Sequence, residues 1–577
     1  MEKNKIVMTY KASTDIRLKS WLQFISTVAG IIILASVSSF INFRLDLTED
    51  KRFTLSDPAI RVLSGIKNDI FVQVYLDGEM PIPLKKLKRS VREMLDEFRI
   101  ASGKKIDYEF INPSDHRDAK QRQARYQSLI NKGLNPINIQ AGDAEGGSTQ
   151  KIIFPGMLIN CNGVEVPVNF LKNNPSVSYE QNILHSSEGL EYELIQNIAT
   201  ISSDTIYKVA FIEGHGEIPE IETADLTLNL ARFFTIDRGI IGGKPGILDD
   251  YAAVVIAGPE KEFNESDKLV LDQYIMNGGK VIWLFDEVAV NADSLIFGET
   301  VGLYRPLNIE DQIFMYGARV NPAIVQDIEC MIIRLKIGTG STNQQIVPAP
   351  WVYYPLLIPS ASHPVTRNLN RVKGEFANYI DTVGLDNAIK KTVLLSTSKN
   401  SRTLSPPLIV SLKEAELTPD EKDYNKSGLP VAVLLEGVFP SAFRNRTVSN
   451  LTDDKNFKIR VESRKTRLIV IADADIIRNE VRRSGVEEVP LPLGQDKYTG
   501  QMFGNRDFLI NCLNYLVDDF GIMELRSREL KLRLLNKLKV KAEKAEWQLI
   551  NVLGPVIFVI LAGFMYSYFR RRNFTKV

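Results

Sequence analysis

Cysteine is scarce in this 577-residue chain: Cys161, Cys330 and Cys512 stand far apart, with no CxxC and no Cys/His cluster. That excludes a structural zinc site and a thioredoxin-type dithiol, and leaves at most one disulfide. Buried free thiols are the expectation. Four histidines, His116, His185, His215 and His363, leave little room for a multi-histidine metal centre. Charge of one sign is also missing. With 71 basic and 70 acidic residues the net charge is +1, so no electrostatic footprint for nucleic acid exists. There is no GxxxxGK[ST], no GxGxxG and no GxSxG. The chain is therefore not read as an ATPase, a dinucleotide enzyme or an elbow-type hydrolase, and no cofactor is expected. No internal repeat stands out, and the length calls for roughly two to four domains.

What is present begins with Leu22–Phe43, an uncharged run rich in Ile, Val, Leu and Phe. As a helix its 22 residues cover about 33 Å, enough to cross a bilayer core of roughly 30 Å. Lys3, Lys5, Lys11, Arg17 and Lys19 precede it against Glu2 and Asp15, which predicts a cytoplasmic N-terminus. A second apolar run, Val552–Phe569, is followed by Arg570, Arg571, Arg572 and Lys576, which predicts a cytoplasmic C-terminus. Two spans with both ends inside hold the middle outside. The basic segment Arg526–Trp547 would then lie outside too, as long domains translocate largely regardless of charge. The alternative for the first run is a cleaved signal peptide with Ser36 and Ser38 near its end, but the run exceeds the usual signal core. The alternative for the second is a buried soluble helix, which Gly554, Pro555 and Gly563 disfavour.

Between the spans, Ser56 reads as an N-cap with Pro58 opening a helix to about Ser64. Strands are predicted at Ile70–Leu76, Ile106–Ile111, 136–140, Lys151–Ile159 and Val164–Phe170, with a flexible GDAEGGS loop at Gly142–Ser148 joining the third and fourth. Helices are predicted at Leu84–Ser102, Arg117–Lys132 and Glu188–Ser202. A second unit starts at Tyr207. Strands at Lys208–Glu213, Tyr251–Pro259 and Lys280–Phe285 alternate with helices at Ala224–Phe233 and Ser266–Met276, the pattern of an open parallel sheet covered on both faces. The region from Leu307 to about Leu435 is strand-rich and broken by prolines. Strands at Val431–Phe439 and Arg467–Ala472 and a helix at Asn505–Asp518 return to the same domain.

Two constellations follow parallel strands, where open α/β sheets place ligands. His215 and Glu217, in Gly214-His215-Gly216-Glu217, have the chemistry of a base with its orienter or of two metal ligands. The reading we favour is a tight turn whose glycines take positive φ. Asp286, Asp473 and Asp475 have the chemistry to hold Mg²⁺ or Ca²⁺, but carboxylates at strand ends more often cap the next helix, the reading we favour. These five are the candidate ligand-binding residues; none is assigned a catalytic role.

Several segments, taken in order, resemble a known family. They are Asp46–Ser56 (DLTEDKRFTLS) after the first span, Val209–Glu217 (VAFIEGHGE), Val254–Pro259 with Leu271–Lys280 (LDQYIMNGGK), Asp473-Ala474-Asp475, Gly504–Phe508 (GNRDF), and Arg526-Ser527-Arg528 before the closing span. Together they are similar to the auxiliary, so-called substrate-binding, component of gliding-motility ABC transporters of the GldG type. The resemblance implies a polytopic permease and a cytoplasmic ABC ATPase as partners and a role in surface gliding or associated export; contact with membrane lipid is read instead from the basic Arg526–Lys544 helix, whose Glu529, Glu543 and Glu546 equally suit a solvated or partner-facing helix. It also implies an inner membrane of a Gram-negative bacterium with the bulk periplasmic; a second copy of the chain stays open as a partner.

The expected α/β architecture has a tail at 1–21, a span at 22–43 and a small α/β domain at 44–205, thioredoxin-like or similar. A second domain at 206–520 carries an open, mostly parallel Rossmann-like sheet with a strand-rich insertion at about 300–435. A charged helix at 521–550, a span at 551–569 and a tail at 570–577 close the chain. The expected function is non-enzymatic coupling of the transporter to this module. The rival is a periplasmic hydrolase or glycan- or ligand-binding receptor using the cleft around His215 and Glu217.

Overall fold

The computed structural model describes residues 54–115, 118–142, 148–171, 179–203, 206–337, 345–384, 388–448, 450–451, 457–484, 487–518, 520–527 and 537–574, and 21–22, 24–33 and 36 near the N-terminus. Residues 23, 34–35 and 37–43 of the first expected span, the Asp46–Arg52 motif, the centre of the GDAEGGS loop, His116 and the basic segment 528–536 lie outside these. Phe53–Arg528 forms one unit, and Met1–Arg52 with Glu529–Val577 another.

The chain enters the larger unit through α1, Asp57–Ser64. Its start is set by Ser56, whose Oγ accepts from Ala59 N at 3.3 Å and donates to Glu191 Oε1 at 2.8 Å. Helix α2, Ile82–Ala101, buries Leu84, Leu87, Val91, Leu95 and Phe98, one stripe at helical spacing. It crosses between β1, Ile70–Val74, and β2, Ile106–Phe110, which are parallel. Strands β3, Gly156–Cys161, and β4, Val164–Asn169, complete a four-stranded sheet of order β2-β1-β3-β4. The single strand expected over Lys151–Ile159 is two. A hairpin of Ile137–Gly142 with Ser148–Ile153 stands apart from β3, because the Pro155 ring has no N–H to continue a ladder. Helices Ala119–Asn131, Tyr179–Glu188 and α3, Leu190–Ser202, complete this part; the second was not foreseen.

The second part is a ten-stranded mixed sheet. In chain order its main strands are β5, Tyr207–Glu213, β6, Phe234–Ile240, β7, Ala253–Ala257, β8, Val281–Leu284, β9, Cys330–Ile337, β10, Gln345–Pro359, β11, Ile389–Ser396, β12, Pro430–Gly437, and β13, Thr466–Ile471. Their spatial order is β9-β10-β11-β12-β13-β8-β7-β5-β6, and Val372–Lys373 pairs β10. From β13 to β6 every pairing is parallel; from β13 to β9 every pairing is antiparallel. The expectation of a mostly parallel sheet carrying a separate insertion is thus corrected. Half of the sheet is antiparallel, and the supposed insertion supplies β9, β10 and β11 to it. Continuous apolar runs mark the parallel half because both faces are buried.

Helix α4, Glu265–Met276, covers one face and α5, Asn505–Val517, the other. In the second unit, α6, Lys537–Phe574, carries the latter part of the expected charged segment continuously into the closing span. Within it Lys541–Arg572 is long and apolar enough to cross a membrane. At the N-terminus the described helix Phe24–Ile33 is apolar but ten residues long. Pro555 inside α6 lacks the N–H of a helical ladder, a loss tolerated in membrane helices.

Ile469 is fully buried in β13, at the middle of the sheet, whereas Val301 is half exposed. Ile469→Ala is expected to cost about 2–5 kcal/mol and Val301→Ala within about 0.5 kcal/mol. Thermal unfolding of the two full-length variants checks this; equal melting temperatures would contradict the core described here.

Candidate functional site

The Gly214–Glu217 turn leaves β5 at the C-terminal edge of the sheet. Gly214 and Gly216 have φ +115° and +77°, so both positions need the left-handed freedom of glycine. The turn is stitched to the loop after β7. His215 O accepts from Glu260 N and Lys261 N at 2.8 Å each, and Ile218 N donates to Ala257 O at 2.9 Å.

The His215 ring is buried and stacks on Phe263 at 3.7 Å between centroids, 12° from parallel. Its Nδ1 lies 3.1 Å from Glu217 Oε1 and its Nε2 3.1 Å from Asp267 Oδ2. Asp267 is in the first turn of α4, where Asn264 caps the helix: Asn264 Oδ1 accepts from Asp267 N at 2.8 Å, and Asn264 Nδ2 donates to Asp267 Oδ2 at 2.8 Å. Asp267 Oδ1 accepts from Gly243 N at 2.6 Å. Burial pulls the imidazole pKa down, but the hydrogen bonds and charges of Glu217 and Asp267 outweigh it and the net shift is upward. An imidazolium donating from both nitrogens fits this geometry. Both ring nitrogens face carboxylates, and among the described residues no Ser, Thr or Cys side chain hydrogen-bonds to the ring. His215 is a clamp tying β5, the following turn and α4.

Asp286, Asp473 and Asp475 form a second group. Parallel pairing of β8 and β13 sets Leu284 opposite Ile471, so both chains emerge side by side at one edge. Asp286 Oδ1 accepts from Ala474 N at 3.2 Å. Asp473 Oδ1 accepts from Asp475 N and Oδ2 from Glu375 N, each at 3.0 Å. A Cβ at Gly374 would stand 2.6 Å from Asp473 Oδ2, so glycine is what lets this backbone approach. Cations border the group: Arg478 Nη1 lies 3.1 Å from Asp475 Oδ1, and Lys373 Nζ lies 2.6 Å from Glu375 Oε1. Burial raises all three carboxyls, Asp286 to about 6, Asp475 to about 7 and Asp473 well above its usual range, with the charge of Asp286 also raising Asp473. Among the described residues no group of three or more His, Cys, Asp or Glu has the geometry of a metal site. The observed roles are capping bonds and ion pairs.

The five candidates therefore fall into two groups. Gly258, at φ +64°, lies where their supporting turns abut: a Cβ there would meet Ile218 at 2.9 Å and Ala474 at 3.1 Å. Sequence reasoning missed Asp267, Glu375, Lys373 and Arg478; the Asn264-x-x-Asp267 capping spacing was the one signal present. Two cavities lie elsewhere. One of about 770 Å³ is lined by Pro245–Asp249, Tyr274 and 457–462, and one of about 510 Å³ lies where α1, α3 and the segment after α5 meet.

Comparison with known proteins gives a family match. A family model described as an ABC-type uncharacterized transport system matches residues 207–512, more than half of the chain. A second, a domain of unknown function, matches residues 49–160. Among curated proteins none matches. Among solved structures the chain is similar to the N-terminal domain of mmIFT52, at 13% identity and TM-score 0.31 over 54% of this chain and 96% of that one. It is also similar to a ThuA-like protein from Parabacteroides merdae, at 12% and 0.26 over 54% and 90%. A third, a catalytic mutant of Gan42B, a GH42 β-galactosidase from G. stearothermophilus, gives 10% and 0.23 over 60% and 35%. Scores this low define no shared fold.

The two groups make separable pH predictions. The folded His215 pKa lies above its unfolded value of about 6.5, so its stabilisation is complete below that pH and is lost as pH rises through the folded value. His215→Gln should flatten the fall in melting temperature between about pH 6 and pH 9 relative to the parent. Asp286 holds its proton to about 6 when folded but ionises near 3.9 unfolded, so stability falls across that window. Asp286→Asn keeps the Oδ1 acceptor and should raise the melting temperature by a few degrees at about pH 8 and by nothing at about pH 4. Equal gains at both pH values would refute a buried ionisation.

Proposed function

The chain belongs to this family of auxiliary components of ABC-type transport systems, and from that premise we propose that it is a membrane-tethered, non-catalytic subunit of such a transporter. Membership indicates an auxiliary rather than enzymatic role, and the apolar C-terminal helix indicates membrane association. The finer reading is a GldG-type component serving gliding or associated export. In it, spans at 22–43 and 551–569 anchor the chain in an inner membrane with both termini cytoplasmic. The domains at 44–205 and 206–520 are periplasmic. A permease and a cytoplasmic ATPase are the partners, and ATP-driven motion of the anchors tilts the body.

One observation carries this reading. The body's two chain ends lie together: Arg61 Nη2 on α1 donates to Phe520 O at 2.9 Å. Both links toward the anchors thus leave from neighbouring points, as a body held at two ends by one membrane complex requires. The rival hydrolase reading finds no support at His215, whose ring nitrogens both face carboxylates.

Extraction of the full chain in mild detergent is expected to return a permease and an ATPase with it, and protease added to spheroplasts is expected to cut the body. Recovery as a lone monomer with the body protected would overturn the proposal.

A further inference from the structure

We propose that the cavity of about 510 Å³ at the junction of the two α/β parts is a binding site for a single hydrocarbon chain bearing an anionic head. Its volume lies within the roughly 300–1,000 Å³ of small-molecule sites.

Much of the lining is apolar. Val62 of α1, Tyr192 and Ala199 of α3, Phe234 of β6 and Met523 belong to it, alongside the polar Gln196, Thr200, Ser202, Ser203 and Asn514. Ile206, Phe520 and Val164 of the lining are 68%, 54% and 59% exposed. A recess with large apolar side chains held in solvent suits an apolar group flanked by polar ones.

The polar side chains at the opening supply the sign of the head. Arg61 and Arg232 both line the cavity and are exposed. Arg61 gives one of its five N–H donors to Phe520 O, and among the described residues Arg232 has no carboxylate partner. The acid in the lining, Asp518, is committed to its own turn: Oδ1 accepts from Phe520 N at 3.1 Å and Oδ2 from Met523 N at 2.7 Å. Two guanidiniums against one carboxylate, itself bound to backbone N–H groups, leave a net positive charge that favours a carboxylate or phosphate head.

The site does not depend on the transporter reading. The test uses the full chain in phosphatidylcholine nanodiscs with a diazirine analogue of palmitate, and maps the labelled peptides by mass spectrometry. Labelling within 192–207, 231–234 and 514–523 is expected. It should be competed by palmitate and dodecyl phosphate but not by dodecyltrimethylammonium. Ala199→Trp fills the recess, and Arg232→Glu, at an exposed position, reverses the charge without touching the core. Each should lower labelling of those peptides by about tenfold while the melting temperature holds. Phosphatidylglycerol added to the discs separates two sources: lost labelling assigns the occupant to bilayer lipid, and retained labelling to a free amphiphile. Labelling confined to α6, or unchanged in both variants, or competed equally by the cationic amphiphile, would overturn the assignment.

Discussion

The larger unit depends on one strand. β13 is hydrogen-bonded on both edges, parallel to β8 and antiparallel to β12, with Leu468 facing Val281 on one side and Leu435 on the other. Leu468, Ile469, Val470 and Ile471 are all buried. Ile469 and Ile471 feed the core on one face with Leu513 and Leu516 of α5, while Leu468 and Val470 feed the other with Trp283, Tyr316 and Phe439. Yet β13 comes nearly two hundred residues after β8, and the chain between builds the antiparallel half before returning to the middle. The two halves meet only when β13 docks, and such non-local closure carries the loop-entropy cost of long-range pairing.

That topology also creates the polar edge. Parallel strands end on one side, so the turns after β5, β7, β8 and β13 crowd together there and bring their side chains with them. The fold then needs counter-charges, and the two groups find them differently. His215 is one imidazole between two acids, which raise its proton affinity, each acid fixed by a backbone or capping bond. Asp286, Asp473 and Asp475 are acids in excess, with Arg478 and Lys373 at their border, and burial raises the carboxyl pKa of all three. Helix α4 shows the same economy on the other side of its length. It is buried all round, so Lys268 must reach Asp311 at 2.8 Å, and Asp272 must accept from Ser441 Oγ at 2.7 Å.

This explains what was legible. The apolar runs of β5, β7, β8 and β13 follow from burial on two faces, and α2 from a stripe on one; both are local signals. β6 has neither. It lies at the sheet edge with much of Phe234–Ile240 partly exposed, and FTIDRGI gives no clean alternation. The parallel-to-antiparallel switch was hidden because pairing partners are set by chain return, not by the composition of either strand. At the site, His215 and Glu217 are two residues apart and readable as a pair, but Asp267 arrives from 52 residues away. Asp286 with Asp473, and Asp473 with Glu375, meet through strand adjacency and a glycine-permitted approach at Gly374 that no spacing announces.

The convergence of the body's ends links the two proposals mechanically. α1 is tied to the segment after α5 by the Arg61–Phe520 bond, worth at most about 1.5–3 kcal/mol for a charged donor. The flanking apolar walls belong to the cavity itself, through Val62 on one side and Met523 on the other. A force that changed the separation of two anchors would reach this seam before it reached the sheets, since the sheets are cross-linked by ladders on every interior strand. An occupant bridging the walls would bury apolar area on both and so resist that opening, while an empty seam would yield first. On the proposed reading the body therefore acts as a stiff lever, and its compliance is concentrated in the few residues where its two ends touch.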